Sequence, residues 1–394
     1  PSTLGITAVD DQTLQIDLTY DCPYFEEIMA FPATFPVRQD MVESSDNWTF
    51  DPSTYIGNGP YKMTEWSHNA YILMEKNENY YDYENLGPDT IKFALLDDSN
   101  AILKGYNNGE LDFIENLPVD EIPTYLASGE LEIGDYLGTY YVCFNTEDEV
   151  FSDPNIRKAF SLVIDRNYIV ENVSQAGEVP ADGYVPNGVN DAAGAGSDDF
   201  RTVGGSYYSI SDEDYEANCE EARQLLADAG YPNGEGFPTV EYLYNTADNH
   251  KKIGEALQNM WQTELGVTVN LNNQDWNVFL QTRKDGDYSI ARNGWIADYN
   301  DPCSFLDMWY TDGGNNDAQY SNPDYDAAID AAKATSDPEE RMKAFHEAED
   351  ILIGQDSVLA PIYFYTQPYM LNPDIDGMYY TPLGYYFFAY TIQK

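Results

Sequence analysis

The chain has 394 residues, of which 69 are acidic and 19 are basic, so its net charge at neutral pH is −50. Such a negative field repels phosphate groups, which makes nucleic acids and anionic membrane faces poor partners. Apolar residues make up 43% and aromatic residues 14%, which is typical of a globular chain with two or three domains and excludes a disordered one. No apolar stretch approaches the ~18 residues that a membrane-spanning helix needs.

In chain order, the first 137 residues are expected to contain strands and short helices in alternation, which points to an α/β sheet. "TAVDDQTLQIDLTY" alternates as a β-hairpin, and the segment up to residue 35, rich in Pro and aromatic residues, predicts a loop with a short helix. A strand pair follows in "GPYKMTEWSHNAYILMEK", then a strand in "DTIKFALL", and a helix, a turn and a strand in "SNAILKGYNNGELDFIE". Because the first hairpin begins so abruptly, we expect a fragment, or a mature chain whose first segment has been removed.

Strands and helices alternate from residue 138 onward, which predicts an α/β sheet. "GTYYVCFNT" is expected to be a strand, and Asp153 followed by Pro154 is typical of the beginning of a helix. Residues 181–210 are rich in Gly, Asp and Ser and predict a long loop, after which a helix ends at Gly230.

A β-α-β-α-β unit with parallel strands is expected between "TVEYLYNT" and "YSIARNGWIA". Ligands of such sheets usually bind beyond the carboxyl ends of the strands. Asp298 stands at that end of the last strand, directly after Trp295, Ile296 and Ala297, where desolvation would penalise a carboxylate. Asp298 is therefore the first candidate for a binding residue. Two helices, the strand "LAPIYFYTQPYMLN" and a final strand "YYFFAYTIQ" complete the chain.

Sequence motifs of common catalytic and metal sites are absent. There is no GxxxxGK[ST] loop, GxSxG elbow, HExxH pair or EF-hand loop, and the three histidines are scattered. The four cysteines show no CxxC spacing, so we predict neither a metal site nor a cofactor, while one or two disulfides stay open if the protein is exported. The 69 acids leave a carboxylate pair of the glycosidase type as an alternative.

Six segments carry a resemblance that covers nearly the whole chain: "GNGPYKMTEW", "FSDPNIRKAFSLVIDR", "YLYNTADNHKK", "NQDWNVFLQTR", "ARNGWIADYNDPCSFL" and "APIYFYTQP". In this order they resemble extracellular solute-binding protein family 5, the peptide-capturing receptors of ABC importers, and most of all its oligopeptide-binding branch. The chain departs from that branch at Gly138 and Ile296, where close relatives carry cysteines, so their disulfide cannot form here.

The resemblance implies a periplasmic-binding-protein-like α/β fold of type II (cluster C), with mixed sheets in two lobes around a hinge. Residues 1–35 would end an extra subdomain of the first lobe, 36–137 would belong to that lobe, 138–365 would form the second lobe, and 366–394 would return to the first. The hinge would therefore lie near residues 137–138 and 365–366. The family's opening segment has no counterpart in this chain.

In this family the ligand is an extended peptide enclosed between the lobes, and the resemblance assigns its contacts. Asp298 matches the partner of the peptide's α-ammonium, and Arg283, Arg292 and His250 match positions that meet the terminal carboxylate of ligands of different length. The strand segment that pairs with the peptide and the side chains that line its path would be Asn293, Gly294, Trp295, Ile296, Tyr141, Asn145, Asn245, Trp276 and Tyr365.

Each of these residues also has an ordinary structural interpretation. Asp298 could cap a turn or a helix in "DYNDP", and His250 could begin a helix without a ligand role. Arg283 could be a solvated residue near a helix end, Arg292 an ordinary strand residue, and the aromatic residues could pack in the core.

The expected function is non-enzymatic capture of short peptides for delivery to a membrane ABC permease. We expect a monomer without a cofactor that works outside the cytoplasm, either periplasmic or as a lipoprotein at the cell surface, although no signal segment is visible. Three alternatives stay open. The same fold could bind another solute, such as a dipeptide, a nickel complex, haem or an oligosaccharide. The chain could also be a secreted glycan-active enzyme or a receptor for peptide pheromones.

Overall fold

The computed structural model describes residues 4–394, which divide into two compact units. The larger unit consists of the segment through Met29, Leu137–Ser174 and Glu178–Tyr365. The smaller unit consists of Ala30–Tyr136, Gln175–Gly177 and Thr366–Lys394. Both contain strands and helices, so the mixed α/β class predicted from the sequence is confirmed.

The strands of the described residues set the architecture of both units. In chain order they are β1 (Ile6–Asp10), β2 (Thr13–Ile16), β3 (Tyr61–Ser67), β4 (Tyr71–Lys76), β5 (Thr90–Ala94), β6 (Phe113–Ile114), β7 (Glu132–Phe144), β8 (Val179–Pro180), β9 (Val240–Asn245), β10 (Val269–Gln274), β11 (Ile290–Ile296), β12 (Leu359–Leu371), β13 (Ile375–Asp376), β14 (Tyr379–Tyr380), β15 (Tyr386–Phe387) and β16 (Ile392–Gln393).

The helices lie mainly in the larger unit. In chain order they are α1 (Phe25–Ala30), α2 (Gln39–Val42), α3 (Ser99–Asn107), α4 (Ile122–Ser128), α5 (Pro154–Leu162), α6 (Arg166–Tyr168), α7 (Phe200–Gly204), α8 (Tyr215–Asp228), α9 (Asp248–Leu265), α10 (Trp276–Lys284), α11 (Cys303–Leu306), α12 (Pro323–Ala334) and α13 (Pro338–Glu349). Two π-helical segments are Ile169–Ser174 and Asp350–Gln355. Short 3-10 turns are Pro32–Thr34, Trp48–Phe50, Tyr83–Asn85, Val119–Glu121, Asp212–Asp214, Pro232–Gly234 and Asp307–Trp309.

The sheet of the larger unit has the strand order β10-β9-β11-β7-β12, with β8 paired to β12. β9 is parallel to both β10 and β11, as the predicted β-α-β-α-β unit requires. β11 is antiparallel to β7 along its whole length, from Ile290 opposite Phe144 to Ile296 opposite Gly138. The parallel and antiparallel parts therefore meet at β11, the strand that leads to Asp298.

The core of the larger unit lies between this sheet and helices α5, α8 and α9. Helix α9 buries Ile253, Leu257 and Trp261 at four-residue spacing, which places them on one face of the helix. The indole Nε1 of Trp261 donates to the Phe160 carbonyl at 2.9 Å, so this large side chain is buried without an unpaired donor. Each fully buried side chain of this size stabilises the fold by roughly 1.5–3 kcal/mol.

Two expectations about local structure were wrong. The loop expected over residues 181–210 contains helix α7, whose first turn is capped by Asp199 through the Thr202 amide and held by a buried Arg201–Glu349 ion pair. The single strand expected at the end of the chain is divided into β15 and β16 by a turn in which the Thr391 amide donates to the Phe388 carbonyl. The ion pair that holds α7 cannot be recognised from local sequence, because Arg201 and Glu349 are distant along the chain.

The smaller unit contains the antiparallel sheet β3-β4-β5, the short pairs β13-β16 and β14-β15, and helices α3 and α4 beside a small apolar core. Within residues 4–394, no helix has the length and apolar character needed to cross a membrane. Over the same range the four cysteines are free, so the disulfides left open by the sequence are not formed. Gly138 and Ile296 are direct cross-strand partners, and the Ile296 side chain fills the space beside the glycine.

Candidate functional site

Strand β11 has one edge that is only partly covered. Its neighbour β9 pairs with it at Ile290 and Ala291, and among the described residues no strand continues this pairing toward Ile296. The opposite edge of β11 is fully paired with β7. A strand edge that no other strand pairs with can accept an extended polypeptide as an additional strand.

The direction of the main-chain groups on β11 follows from its pairing with β7. The Asn145 amide donates to the Ser289 carbonyl, and the Ala297 amide donates to the Leu137 carbonyl. Because hydrogen-bonded pairs alternate along an antiparallel ladder, the main-chain groups of Arg292, Gly294 and Ile296 point to the other edge. That is the edge β9 leaves uncovered. The Gly294 amide is satisfied there by the Asn293 Oδ1 atom at 2.8 Å.

Arg292 lies at the beginning of this free edge and has no acidic partner among residues 4–394. Its Nη1 atom is 3.4 Å from Asn245 Oδ1, its Nη2 atom is 3.4 Å from Tyr365 Oη, and its Nε atom is buried without a hydrogen-bond partner. The guanidinium also lies 5.1 Å from the ring centre of Tyr140. A guanidinium that is bound only by neutral groups can still form a bidentate pair with a carboxylate.

His250, in the first turn of α9, contributes to the same cluster. Its Nδ1 atom lies 3.3 Å from the Tyr140 hydroxyl. Burial, followed by the charge of Arg292, lowers the pKa of His250 to about 3. The imidazole is therefore neutral at pH 7. It can bind an anion only as a neutral hydrogen-bond donor, unless the charge of the anion raises the pKa of His250 enough for the ring to be protonated.

Arg283 differs from Arg292 because its charge is already paired. Its Nε atom lies 2.7 Å from Asp317 Oδ2, with both side chains nearly buried, and its Nη1 atom donates to Asn293 Oδ1 at 2.7 Å. The contact of Arg283 with a ligand carboxylate stays a prediction. The ion pair with Asp317 reduces what a second carboxylate would gain there, so Arg292 is the stronger candidate.

Asp298 lies just beyond the other end of β11 and is half-buried. Its amide donates to Ser304 Oγ at 2.9 Å, but its carboxylate has no hydrogen bond or ion pair within the described part of the chain. Burial raises the pKa of Asp298 above its usual value. The carboxylate lines a cavity of about 400 Å³ together with Trp295, Tyr299 and Met308. A desolvated and unpaired carboxylate beside a cavity is suited to bind a cation.

The polar residues predicted to line the ligand path are used in different ways. Asn245 holds Arg292, and Asn293 links Arg283 to the Gly294 amide. Asn145 is 6% exposed and donates to the carbonyls of Gly286 and Tyr288, so its side chain already serves the fold. A ligand contact by Asn145 stays a prediction that this geometry does not favour.

The predicted aromatic residues also divide into two groups. Tyr141 is fully buried against Tyr184 and Trp309, so it has no surface to offer in this conformation. Trp276 is half exposed on the first turn of α10. Trp295 lines the cavity beside Asp298 with its indole N–H buried and without an acceptor among residues 4–394.

Tyr365 approaches the strand closely because Gly294 has no side chain. A Cβ atom at Gly294 would lie 2.4 Å from the Tyr365 hydroxyl, so only glycine permits this contact. The hydroxyl in turn accepts from Arg292 Nη2. Gly294 therefore contributes to the site both through its main-chain groups on the free edge and through the space it leaves for Tyr365.

Sequence reasoning missed Tyr140 and Asp317. Tyr140 stands in the predicted strand "GTYYVCFNT" one position before Tyr141, which resemblance selected instead. Side chains of a strand alternate between its faces, and it is Tyr140 that shares a face with Arg292. Only the register of β7 against β11 could decide between the two tyrosines. Asp317 lies in an irregular segment and carries no sequence signal.

Comparisons with known proteins show the family and the fold. Residues 1–317 match the family model of bacterial extracellular solute-binding proteins, family 5. The chain is 34% identical over 381 residues to the oligopeptide-binding protein OppA of Bacillus subtilis, covering 95% of this chain and 68% of the relative. It is 30% identical over 379 residues to a probable deoxycholate-binding periplasmic protein of Escherichia coli, covering 95% of this chain and 68% of the relative.

A solved structure of Haemophilus influenzae OppA in complex with the peptide RPPGFSPFR superposes with a TM-score of 0.83 and 31% identity, covering 97% of this chain and 73% of that one. The mixed α/β fold and these similarities together define a solute-binding protein. The chain belongs to family 5 of the bacterial extracellular solute-binding proteins. The resemblance drawn from six sequence segments is thereby confirmed.

Proposed function

We propose that the larger unit binds a short peptide in extended form along the free edge of β11, as the substrate-binding component of an ABC importer. One observation supports this above all others. Two oppositely charged side chains without ionic partners, Asp298 and Arg292, stand at opposite ends of a strand edge that no other described strand covers. A peptide has two oppositely charged ends and a hydrogen-bonding main chain between them.

The amine end of the ligand lies at Asp298 in this proposal. The carboxylate has lost part of its hydration and has no internal partner, so an incoming α-ammonium supplies the missing charge. A charge-assisted hydrogen bond of this kind contributes ~1.5–3 kcal/mol. The indole N–H of Trp295 at the same cavity offers an additional donor to a ligand carbonyl.

The carboxylate end lies at Arg292, with His250 beside it. Asp298 is six residue steps along the chain from Arg292, which corresponds to at most roughly 20 Å in extended conformation. In this proposal the two side chains extend over part of this distance. Since a bound strand advances ~3.4 Å per residue, the site is suited to peptides of about three to five residues. Arg283 would meet only ligands of a different length.

Between the two ends, the main chain of the ligand pairs with β11 at Gly294 and Ile296. Such pairing is independent of ligand side chains, so it gives affinity without selecting a sequence. Half-exposed aromatic residues such as Trp276 would contact the ligand side chains, and ordered water would fill the space that small ones leave.

The remaining parts of the function follow from the family. The relatives include proteins named as periplasmic and oligopeptide-binding, so we place this chain outside the cytoplasm, delivering its ligand to a membrane permease without chemical turnover. Residues 138–365 would be the second lobe, with residues 36–137 and 366–394 in the first. The unit boundaries at 136/137 and 365/366 support this division. The described residues up to Met29 cluster with the larger unit, which gives no support to the proposal that residues 1–35 end an extra subdomain of the first lobe.

Isothermal titration with the tripeptide Ala-Leu-Ala in free, N-acetylated and C-amidated forms tests the proposal. We expect acetylation and amidation each to weaken binding by about tenfold or more. Asp298→Asn should remove the effect of acetylation, and Arg292→Met should remove the effect of amidation. The matched controls are Asp324→Asn and Arg223→Gln, which change the same charges at partly or fully exposed positions away from the site. Equal affinity of the wild-type protein for all three forms would refute the proposal.

A second candidate ligand is an amphipathic carboxylate without an amine. The relative named as a probable deoxycholate-binding protein shares 30% identity with this chain, and a bile acid has a carboxylate for Arg292 but no cation for Asp298. If deoxycholate is the ligand, Arg292→Met should abolish its binding and Asp298→Asn should leave it unchanged. Tripeptides would then bind weakly in every form.

A further inference from the structure

The loop that carries Asp298 is fixed by a buried ion pair. The two terminal nitrogens of Arg341, on α13, contact the two carboxylate oxygens of Asp301 at 2.7 and 2.8 Å. Both side chains are nearly inaccessible, 4% and 9% exposed. This bidentate geometry sets both the position and the orientation of the Asp301 carboxylate, which a single contact would not do.

Asp301 transmits this geometry to Asp298 through two short steps. Its Oδ1 atom accepts from the Cys303 amide at 2.9 Å, and its carbonyl accepts from the Ser304 amide at 3.0 Å. Ser304 Oγ then accepts from the Asp298 amide at 2.9 Å. The main chain at Asp298 is therefore hydrogen-bonded to a residue that is itself held by the Arg341–Asp301 pair.

Aromatic rings pack against Arg341 and against the other side of the loop that carries Asp298. The guanidinium of Arg341 lies 4.9 Å from the ring centre of Tyr24 and 4.8 Å from that of Phe345. Tyr24 stacks on Tyr299, the residue after Asp298, with ring centres 4.8 Å apart and planes 4° from parallel. Arg341 is thus linked to the loop on two sides, through Asp301 and through Tyr24.

We propose that Arg341 is a positioning residue for amine recognition, which directs the Asp298 carboxylate toward the bound α-ammonium. This inference rests on the proposed function. Binding groups must be held within about 0.5 Å of the productive geometry to act with full strength. Loss of Arg341 leaves Asp301 buried without its cation, so the loop rearranges to hydrate that carboxylate and the direction of Asp298 is lost. The rest of the site, at Arg292, is held by other residues.

The experiment measures how strongly the protein prefers a free amine over an acetylated one. Affinities for Ala-Leu-Ala and N-acetyl-Ala-Leu-Ala are determined by titration for the wild-type protein, Arg341→Gln and Arg341→Lys. We expect the wild-type preference of about tenfold or more to fall to about twofold in Arg341→Gln, with the affinity for the acetylated peptide unchanged. Arg341→Lys, which keeps the charge but not the bidentate contact, should be intermediate.

Arg157→Gln is the matched control. Arg157 is a buried arginine of the same unit, 4% exposed, that binds the carbonyls of Asp356 and Phe151 away from the Asp298 loop. Its loss should lower the melting temperature without changing the preference for the free amine. If Arg341→Gln weakened the binding of both peptides in parallel, Arg341 would have only a structural role. The same would follow if Arg341→Lys kept the full preference for the free amine. A wild-type protein with no preference at all would instead refute the proposed function.

Discussion

The guanidinium of Arg292 lies 5.1 Å from the centre of the Tyr140 ring, and the hydroxyl of the same tyrosine lies 3.3 Å from His250 Nδ1. Tyr140 therefore connects a permanent cation to a titratable base. No carboxylate lies within ion-pair distance of Arg292 among residues 4–394, so the charge in this cluster is not balanced internally. We propose that the cluster binds an anionic group, which would raise the pKa of His250.

The first prediction concerns the pH dependence of stability. The pKa of His250 is about 3 in the folded chain and near 6.5 when unfolded, so between these values the unfolded chain binds the proton and the folded chain does not. The contribution of His250 to stability is therefore fully present above pH 6.5 and decreases as the pH falls toward 3, at about 1.4 kcal/mol per pH unit. Urea unfolding of the ligand-free protein at pH 7 and pH 5 measures this slope.

His250→Gln provides the comparison, because it cannot titrate. We expect the variant to lose less stability than the wild-type protein over the same interval, since other groups titrate equally in both. Identical slopes for the two proteins would show that His250 is not held neutral. Saturating peptide should also reduce the difference, because a carboxylate near His250 raises its pKa.

The second prediction concerns the buried Glu349. Its Oε1 atom accepts from Arg201 Nη1 at 2.7 Å and from the amides of Tyr184 and Val185 at 2.8 Å each. Replacing Glu349 by Leu should lower the free energy of unfolding by ~3–5 kcal/mol, because Arg201 then stays buried without its counter-charge. Urea denaturation measures the loss.

Glu347→Gln is the control for this change, since Glu347 is exposed on the same helix. It should alter stability by less than about 0.5 kcal/mol. Equal stability of the two variants would show that the Arg201–Glu349 ion pair does not stabilise α7 or the segment at Tyr184 and Val185.

The third prediction concerns the cross-strand pair Gly138 and Ile296. A Cβ atom at Gly138 would lie 2.3 Å from Ile296 Cδ1 and 2.8 Å from the Trp295 carbonyl oxygen. Gly138→Ala should therefore destabilise the protein by roughly 1–3 kcal/mol, as overpacking does, and should weaken peptide binding because β11 must shift. Thermal unfolding and peptide titration measure the two effects.

Gly59→Ala tests whether any glycine replacement has this effect. Nothing lies within 4 Å of a Cβ atom at Gly59, so the stability of the Gly59→Ala variant should differ little from that of the wild-type protein. The double variant Gly138→Ala with Ile296→Val should recover part of the loss. Full tolerance of alanine at Gly138 would contradict the close register of β7 and β11.

The fourth prediction concerns the net charge of −50. A field of this size attracts cationic ligands, and salt screens it, since the Debye length falls from ~10 Å at 0.1 M to ~3 Å at 1 M. The association rate of Lys-Ala-Lys, followed by stopped-flow tryptophan fluorescence, should fall by about tenfold between 0.05 and 0.5 M NaCl. The rate for Ala-Ala-Ala should change far less. Equal salt dependence for both peptides would exclude electrostatic steering.

Much of the fold was predictable from local sequence. Asp153 and Pro154 predicted the start of a helix, and the Asp153 carboxylate does accept from the Asn155 amide at the start of α5. The β-α-β-α-β unit expected between "TVEYLYNT" and "YSIARNGWIA" is present as β9, α9, β10, α10 and β11, because the periods of strands and helices are properties of the chain itself. The helix α7 was missed because its stability depends on Glu349, far along the chain.

The sequence by itself determined the order of strands and helices, the family, and the position of Asp298 at the end of β11. It also supplied Arg283 and Arg292 as candidates for the ligand carboxylate. Only the tertiary structure separated them, because Asp317 neutralises Arg283 while Arg292 meets only neutral groups. The physical reason is that the free energy of a charge depends on its desolvation and on the charges around it. These are set by residues that packing brings together from distant parts of the chain.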